Sequence, residues 1–411
     1  MTDSVSLSLF EGFGIELEYM IVDSQTLNVR PIADHVLHHV AGRYESEVER
    51  GPLAWSNELA LHVLELKTNG PAETIAPLAQ QFHTDVCEVS RILASEGAQL
   101  MPTAMHPWMD PHAEMRLWPH EHSPVYEAFN RIFDCRGHGW ANLQSMHINL
   151  PFADDEQFGR LHAAIRLLLP LLPALAASSP LMDGQATGRL DNRLQVYRSN
   201  ARRIPSVTGR VIPEPAYTRA DYDRLIFEPM YADIAPLDPA GILQDEFLNA
   251  RGAIARFCRN TIEIRLIDVQ ECPRADLAIF AAVISVLRRL VSETWTPAAE
   301  QMTVPITPLE RVLLATIDDA DQATIDDAAY LRHFGIESAR ISTRELWQHL
   351  VDSAPAGDWP AGTRHALQQI LSQGCLARRI LARLRPDFAP NRLHAVYAEL
   401  CECLHRNELF A

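Results

Sequence analysis

The chain has 411 residues, of which 47% are hydrophobic and 22% are charged, so it can bury a full core and is not a disordered chain. Its formal net charge of -17 repels phosphate backbones, so we expect no nucleic-acid partner. Lys67 is the only lysine, and no glycine loop precedes it, which excludes a Walker A motif. If the protein binds a nucleotide, arginine side chains and metal ions must therefore bind its phosphates.

The sequence predicts a cytoplasmic protein without a membrane segment. Its longest apolar stretches, 167–177 and 277–286, are shorter than the ~20 residues that span a bilayer. Residues 1–8 are short and polar, so we expect no secretory signal there. The seven cysteines are scattered and form no CxxC pair, which is typical of reduced thiols.

In chain order, segments with period-two alternation are separated by segments with helical periodicity. The predicted strands are 13–22, 59–68, 97–105, 143–150 and 260–269. The predicted helices are 75–95, 124–134, 155–177, 218–226, 274–295, 307–315, 325–333, 343–352, 363–385 and 390–407, the last beginning at Pro390. Because strands of a parallel sheet are apolar on both faces and these are not, we predict an α+β fold with a mostly antiparallel sheet and helices on one face.

We expect a single domain over residues 1–411, with a sheet-bearing core at about 10–300 and a helical part at about 301–411. The charged stretch 307–330 is the best candidate for a boundary, but its composition is not that of a linker. The segment from His106 to His122 is rich in His, Pro and Trp, and we expect a surface loop. A zinc site there is the alternative, although its histidines lack the usual ligand spacing.

The most informative strand is the first one. Period two places Ile15 and Leu17 on one face and Glu16 and Glu18 on the other. Carboxylates two residues apart on a strand stand roughly 7 Å from each other, and two hard cations could therefore share this wall. The alternative is an ordinary solvated face of an antiparallel sheet.

Two other strands repeat this arrangement. His147 lies between Met146 and Ile148, and Glu263 and Arg265 alternate with apolar residues. Alone, His147 is typical of a structural histidine, and Glu263 with Arg265 of a surface ion pair. Together, the three strands predict a water-filled trough lined by carboxylates, one imidazole and one guanidinium.

The strand predicted at 59–68 is less regular. Glu58 and Glu65 are seven residues apart, so a regular strand would place them on opposite faces. If both serve one site, either Glu58 lies before the strand or a bulge intervenes. Lys67 has the same parity as Glu65, but we expect an exposed lysine at the end of the strand.

After the turn at 178–184 comes a run of arginines. These could grip a phosphate or a substrate carboxylate, or they could neutralise neighbouring acids. The residues are Arg189, Arg193, Arg198, Arg202 and Arg203, with Tyr197 among them.

Taken in order, these segments resemble the glutamate–cysteine ligases, and most closely the bacterial second-type group of carboxylate–amine ligases. The resemblance covers residues 10–295 well and the helical tail loosely. It rests on Gly14-Ile15-Glu16-Leu17-Glu18, on Glu58 with Glu65-Leu66-Lys67-Thr68, on Met146-His147-Ile148-Asn149, on Ser178-Ser179-Pro180-Leu181 and on Asn260-Thr261-Ile262-Glu263-Ile264-Arg265.

The resemblance implies a glutamine synthetase-like catalytic fold, with a curved sheet whose carboxylates hold two or three Mg²⁺ ions, or Mn²⁺, around ATP. By matching position, the implied metal ligands are Glu16, Glu18, Glu58, Glu65, His147 and Glu263. Arg265 and Glu65 are the implied catalytic residues, and Arg265, Arg193, Glu16 and Glu263 the implied nucleotide contacts. Glu58 replaces an aspartate of some relatives, and the segment 195–209 is longer than usual, which leaves the amine pocket undefined.

The implied reaction is ATP-dependent ligation of a carboxylate to an amine through an acyl phosphate. The product would be γ-glutamylcysteine, as in glutathione biosynthesis, or a related γ-glutamyl or amide compound. The resemblance is also compatible with a homodimer. Two alternatives stay open at this point: a metal-dependent phosphotransferase on the same fold, and a non-catalytic metal- or nucleotide-binding protein.

Overall fold

The computed structural model describes residues 7–411, so most of the segment 1–8 lies outside the described residues. Its centre is an eight-stranded sheet with the order β2-β3-β4-β1-β6-β10-β9, and β5 pairs with the far end of β1. All these pairings are antiparallel. The strands are Gly14–Asp23 (β1), Glu47–Arg50 (β2), Leu53–Asn57 (β3), Val63–Thr68 (β4), Ala98–Met101 (β5), Ser145–Pro151 (β6), Leu181–Met182 (β7), Gln185–Ala186 (β8), Ala253–Arg256 (β9), Thr261–Asp268 (β10), Thr324–Ile325 (β11) and Ile341–Ser342 (β12).

Helices of very different lengths surround the sheet. They are Ala33–Ala41 (α1), Leu78–Ala94 (α2), Pro111–Glu114 (α3), Ser123–Phe133 (α4), His138–Ala141 (α5), Asp155–Leu168 (α6), Leu172–Ala176 (α7), Asn192–Tyr197 (α8), Arg219–Tyr222 (α9), Glu228–Ile234 (α10), Pro273–Val291 (α11), Ala298–Gln301 (α12), Ile306–Asp319 (α13), Ala328–Arg332 (α14), Thr343–Asp352 (α15), Thr363–Gln373 (α16), Leu376–Leu384 (α17) and Pro390–Arg406 (α18).

The structure confirms the predicted α+β architecture with an antiparallel sheet. On the apolar face, Ile15, Leu17 and Tyr19 of β1 are fully buried in one core with α2, α6 and α11. The stretch Asp155–Ala176 is long and apolar enough to cross a membrane by composition, but 94% of its apolar window is buried inside the protein. One feature was not predicted: α4, α5 and α8 also contribute side chains over the polar face.

The predicted strand at 59–68 is wrong in its first half. β4 begins at Val63, and a separate strand, β3, precedes it. Every residue of β3 is buried, so its sequence has no period-two alternation to reveal it. The same reason applies to β9, where three of four residues are buried.

Strand β10 contains an irregularity that positions the site. Its register with β6 shifts between Ile264 and Ile267, so Arg265 and Leu266 lie at a bulge. Gly252 has no side chain, and a Cβ atom at this position would lie only 2.6 Å from Leu266 Cγ. The backbone of β9 can therefore approach closely enough for Arg265 N to donate to Gly252 O at 2.9 Å.

The carboxy-terminal helices pack onto the same core as the sheet. Helix α16 contacts α11, and α18 contacts both β5 and α2. Pro390 occupies the first turn of α18, as predicted. The helix predicted at 363–385 is two helices, because Gly374 adopts a φ of 93° and ends α16.

Candidate functional site

Strand register brings the predicted polar residues together on one face of the sheet. Glu18 of β1 lies directly opposite Glu65 of β4, and Glu16 lies opposite His147 of β6. Glu263 of β10 lies opposite Asn149, the next inward-facing residue of β6. Two carboxylates directly opposite each other in an antiparallel pair are destabilising by themselves, which indicates a functional arrangement.

These side chains are buried, so the alternative of a solvated sheet face is wrong. Glu18, Glu65, His147 and Glu263 each expose 7% or less of their surface. Glu16 is somewhat more accessible, with 17% of its side chain exposed. The predicted trough is therefore a largely enclosed cluster, which we call the acidic cluster: Glu16, Glu18, Glu58, Glu65, His147 and Glu263.

Within the acidic cluster, two sets of three residues have the geometry of metal sites. Glu16, His147 and Glu263 form one set, and Glu18, Glu65 and His147 form the other. In each set, one ligand atom per residue lies within 4.8 Å of the other two. A single ion could bridge the atoms of either set, so the described residues offer two neighbouring sites.

His147 lies between the two sets, with one ring nitrogen facing each of them. Its Nδ1 lies 2.8 Å from Glu16 Oε2, and its Nε2 lies 3.6 Å from Glu18 Oε1. A neutral imidazole has one donor and one acceptor nitrogen. His147 can therefore be a ligand for one set while it donates a hydrogen bond to the other.

Glu58 lies immediately after β3 and before β4, which answers the parity question left by the sequence. It belongs to neither three-residue set, but Glu18 and Glu65 are close enough to raise its pKa. Lys67 is not the exposed strand-end lysine that we expected. Its Nζ lies 3.2 Å from Glu65 Oε1 and 2.7 Å from Glu47 Oε2.

The carboxylates of the acidic cluster are held at raised pKa values. Burial raises the pKa of Glu16, Glu18, Glu58 and Glu65, and neighbouring carboxylates raise each of them further. Glu263 is the exception. Burial opposes its ionisation, but Arg265, His147 and Arg256 outweigh burial and hold its pKa below the ordinary value.

The side chains present fit hard divalent cations. Carboxylate oxygens and one imidazole are ligands that Mg²⁺ and Mn²⁺ accept, and each set combines two carboxylates with His147. The zinc alternative for the segment 106–122 gains no support, because neither candidate group in residues 7–411 contains a histidine from it. His106 of that segment is fully buried, so the segment is not simply a surface loop.

We predict that Glu58→Gln stabilises the metal-free protein. Because the pKa of Glu58 is raised, the folded protein keeps a proton that the unfolded chain loses above pH 4.5. The free energy of unfolding of the wild type therefore falls as the pH rises from 4.5 towards the raised pKa of Glu58. Glutamine does not titrate, so the variant does not lose this stability. We expect a gain of about 1 kcal/mol in the free energy of unfolding at pH 8, and a smaller gain at pH 5.

This prediction is measured by urea unfolding in EDTA at both pH values. Glu49→Gln is the control, because Glu49 is exposed on β2 of the same sheet. A Glu58→Gln protein that is less stable than wild type at pH 8 would show that Glu58 carries no electrostatic strain.

Two cavities meet at the acidic cluster. The first has a volume of about 510 Å³ and includes Glu18, Glu58, His147 and Arg265 in its wall. The second has a volume of about 400 Å³ and includes Glu16, Lys67 and Asn149. We call them the arginine cavity and the glycine cavity, since Gly12 and Gly14 line the latter. Arg259 is exposed and lines both.

Arg193 lines the arginine cavity, but most of its donors are engaged with the backbone. Its guanidinium donates to the carbonyl oxygens of Gln144, Arg265 and Ile267 and pairs with Asp268 at 3.3 Å. Only its Nη1 is buried without a partner in the described part of the chain. The contact with nucleotide or substrate that the resemblance implies for Arg193 would therefore depend on this one nitrogen.

The other arginines of the run do not converge on one anion. Arg189 pairs with Asp318 at 2.9 Å, and Arg203 donates to the carbonyl oxygen of Ile132. The sequence reasoning missed Arg256, which lies 3.3 Å from Glu263. Arg256 ends β9, a strand without alternation, so no pattern marked it.

Ser145, Asn149 and Ser56 were also missed as supports of the acidic cluster. Ser145 N and Oγ donate to Glu18 at 2.7 and 3.0 Å, Asn149 donates to Glu16 at 3.0 Å, and Ser56 donates to Glu65 at 2.7 Å. Period two places Ser145 and Asn149 on the same face as His147, but it does not show which carboxylates they contact.

Comparison with known proteins bears on family and fold. A family model described as "Glutamate-cysteine ligase family 2(GCS2)" matches residues 12–399. A relative from Archaeoglobus fulgidus, named only as an uncharacterized protein, is 30% identical over 97% of this chain and 99% of its own length. A Salinispora tropica protein named "Putative glutamate--cysteine ligase 2" is 28% identical over 68% of this chain and 65% of its own.

Solved structures show the same fold. The glutamate–cysteine ligase of Francisella tularensis, in complex with AMP, has a TM-score of 0.57 at 13% identity, over 97% of this chain and 90% of that chain. A bifunctional glutathione synthetase from Pasteurella multocida has a TM-score of 0.59 at 13% identity, over 97% of this chain and 53% of that chain. The predicted glutamine synthetase-like fold class is thereby confirmed. With a family model that spans most of its length, the chain belongs to glutamate–cysteine ligase family 2, a family of ATP-dependent ligases that form a carbon–nitrogen bond.

Proposed function

We propose that the protein ligates a carboxylate to an amine through an acyl phosphate, with ATP as the phosphoryl donor and a γ-glutamyl or related amide as product. One observation carries this proposal: the acidic cluster lies where two cavities meet. Such a position lets a molecule in either cavity reach the same set of charges.

Glu16 and Glu263 would hold one divalent ion, and Glu18 and Glu65 would hold another, with Glu58 beside the second set. His147 would be a ligand of one of the two ions, since a neutral imidazole has one acceptor nitrogen. When bound, these ions supply positive charge that neutralises the triphosphate and the transferring phosphoryl group. The close approach of the buried carboxylates supports this assignment, since binding of ions would reverse their mutual repulsion.

We place the nucleotide in the glycine cavity and the carboxylate in the arginine cavity. The glycine cavity reaches Glu16 and contains Lys67, whose ammonium group is retained because Glu65 and Glu47 raise its pKa. Three residues that line the arginine cavity each carry a buried donor atom without a partner among the described residues. These atoms are Arg265 Nε, Arg193 Nη1 and Tyr197 OH. Such donors suit the oxygen atoms of a carboxylate.

In the first step, a substrate carboxylate oxygen attacks the γ-phosphorus of ATP, an O–P bond forms and ADP leaves. Arg265 lies at the edge of the acidic cluster, with Nη1 3.2 Å from Glu263 Oε1, and its charge is fixed because Glu263 raises its pKa. Arg265 can therefore stabilise negative charge that spreads over the transferring oxygens without changing its own protonation.

In the second step, the amine nitrogen attacks the acyl carbon, a C–N bond forms, the C–O bond to phosphate breaks, and the nitrogen loses a proton. Activation is needed because a free carboxylate is a poor electrophile. The burial of the acidic cluster supports this scheme, since an acyl phosphate must be kept from water until the amine reacts.

The test is a panel of amino acids and amines, scored by phosphate release with ATP and Mg²⁺. We expect ADP, phosphate and an amide in equal amounts, and only when both a carboxylate and an amine are present. ADP release with a single substrate that becomes phosphorylated would instead show a phosphotransferase. ATP binding without turnover on any pair would show a non-catalytic binder.

A further inference from the structure

The arginine cavity has two chemically different halves. The half beside the acidic cluster contains the unpartnered donors Arg265 Nε, Arg193 Nη1 and Tyr197 OH. The opposite half, which we call the aromatic half, is lined by Tyr126, Phe129, Trp140 and Phe247, with aliphatic side chains between them.

The rings of the aromatic half form a continuous wall. The centroid of Phe129 lies 5.4 Å from that of Trp140 and 6.2 Å from that of Phe247. These spacings are in the range of favourable ring packing, so the rings stabilise one another in place. Tyr126 extends the wall towards Glu58, because its hydroxyl accepts a hydrogen bond at 3.0 Å from Asn57, the residue before Glu58.

The polar atoms of the aromatic half are already satisfied by the protein. Trp140 Nε1 donates to Asn200 O at 3.1 Å, and Asn200 Nδ2 donates to Gly139 O at 3.2 Å. Asn249 Nδ2 donates to Tyr222 OH, away from the cavity, and Tyr126 OH accepts from Asn57. Trp140 and Phe129 therefore offer apolar ring surface to a ligand, and the exposed His122, which precedes α4, is a polar side chain of the same lining.

We propose that the amine substrate carries a large apolar group, of the size of a phenyl ring, which the aromatic half receives. This inference rests on the proposed function and specifies its amine. The carboxylate to be activated lies among the unpartnered donors, and the amino group lies between the two halves. A small thiol side chain would leave most of the ring wall exposed to water.

Adenine is the other flat ligand that such a wall could receive. The geometry favours the amine, because the aromatic half adjoins Glu18 and Glu58, whereas Glu16 and Lys67 face the glycine cavity. A nucleotide with its base on the ring wall would have to pass its phosphates over the carboxylate site. The experiment below separates the two occupants.

The experiment compares 2-phenylethylamine and L-phenylalanine with ethylamine and L-cysteine, using L-glutamate, ATP and Mg²⁺. We expect kcat/KM for a phenyl-bearing amine to exceed that for the small amines by roughly 100-fold, as burial of a ring allows. In parallel, calorimetry with Mg²⁺ and a non-hydrolysable ATP analogue measures the binding of 2-phenylethylamine and ethylamine directly.

Phe129→Leu is the test variant, and Phe133→Leu is its matched control. Both residues belong to α4, and Phe133 contacts Phe129 and Trp140, but Phe133 does not line the arginine cavity. We expect Phe129→Leu to raise KM for the phenyl-bearing amine about tenfold, while KM for ATP stays within twofold of wild type. Phe133→Leu should change neither constant.

Three results would overturn the inference. Equal kcat/KM for small and phenyl-bearing amines would show that the aromatic half does not discriminate between amines by size. Ligase activity itself would still support the proposed function. A rise in KM for ATP alone in Phe129→Leu would place adenine there. If no pair of substrates turns over, the proposed function fails, and the calorimetric titration alone tests the inference. Equal affinity for the two amines would then overturn it. Tighter binding of 2-phenylethylamine would support it.

Discussion

Glu16→Gln is expected to lower kcat by roughly 10³-fold with little change in the fold. Glu16 belongs to the set with His147 and Glu263, and its two oxygens accept hydrogen bonds from His147 and Asn149. Glutamine keeps the shape and one acceptor oxygen, so the packing of β1 survives. It loses the negative charge, so the affinity of this set for a divalent cation would fall.

This effect is measured by steady-state phosphate release and by calorimetric titration of ATP in saturating Mg²⁺. Circular dichroism and the unfolding midpoint check that the fold is intact. Glu49→Gln, exposed on the same sheet, should retain full turnover. Wild-type turnover in Glu16→Gln would remove Glu16 from the metal ligands.

Arg265→Gln is expected to lower kcat by about 10³-fold, in the range of other arginines that meet a transferring phosphoryl group. Arg265 lies at the bulge of β10, where its backbone is fixed by bonds to Gly252 and Arg193. Its side chain therefore has a defined direction. Arg265→Lys should recover only a small part of the activity, because a point charge does not reproduce the planar fork of the guanidinium group.

The matched control for Arg265 is Arg189→Gln, since Arg189 is another arginine paired with one acid, but at the surface. It should leave kcat and both KM values at wild-type levels. If Arg265→Gln raised only the KM for the carboxylate and left kcat unchanged, Arg265 would be a binding residue and not a stabiliser of the transition state.

The core of the acidic cluster could be predicted from sequence because alternation in a strand is local. Glu16, Glu18, His147 and Glu263 are each flanked by apolar residues, and period two alone places each on the polar face of its strand. That these faces converge follows from antiparallel pairing of β1 with β4 and β6. The pairing depends on contacts between distant segments, which alternation does not encode.

The rest of the site comes from segments without a periodic signal. Glu58 lies in a connection, and Arg256 ends a strand that is buried on both faces. Lys67 was predicted to be exposed because a lysine at the end of a strand usually is. Its ammonium group instead pairs with Glu47 on β2, a strand that was not predicted. Tyr126, Phe129 and Trp140 lie close together in the chain, but Phe247 comes from a segment more than 100 residues later, so only tertiary structure reveals the complete wall.

The acidic cluster is expected to bind divalent ions in two adjacent positions beside the triphosphate. The most direct measurement is anomalous X-ray scattering from crystals soaked with Mn²⁺ and a non-hydrolysable ATP analogue. We predict one Mn²⁺ peak beside Glu16 and Glu263 and a second beside Glu18 and Glu65, with His147 as a ligand of one of them and the γ-phosphate beside both. Mn²⁺ bound only at exposed carboxylates, with the nucleotide remote from Glu16 and Glu263, would contradict the account.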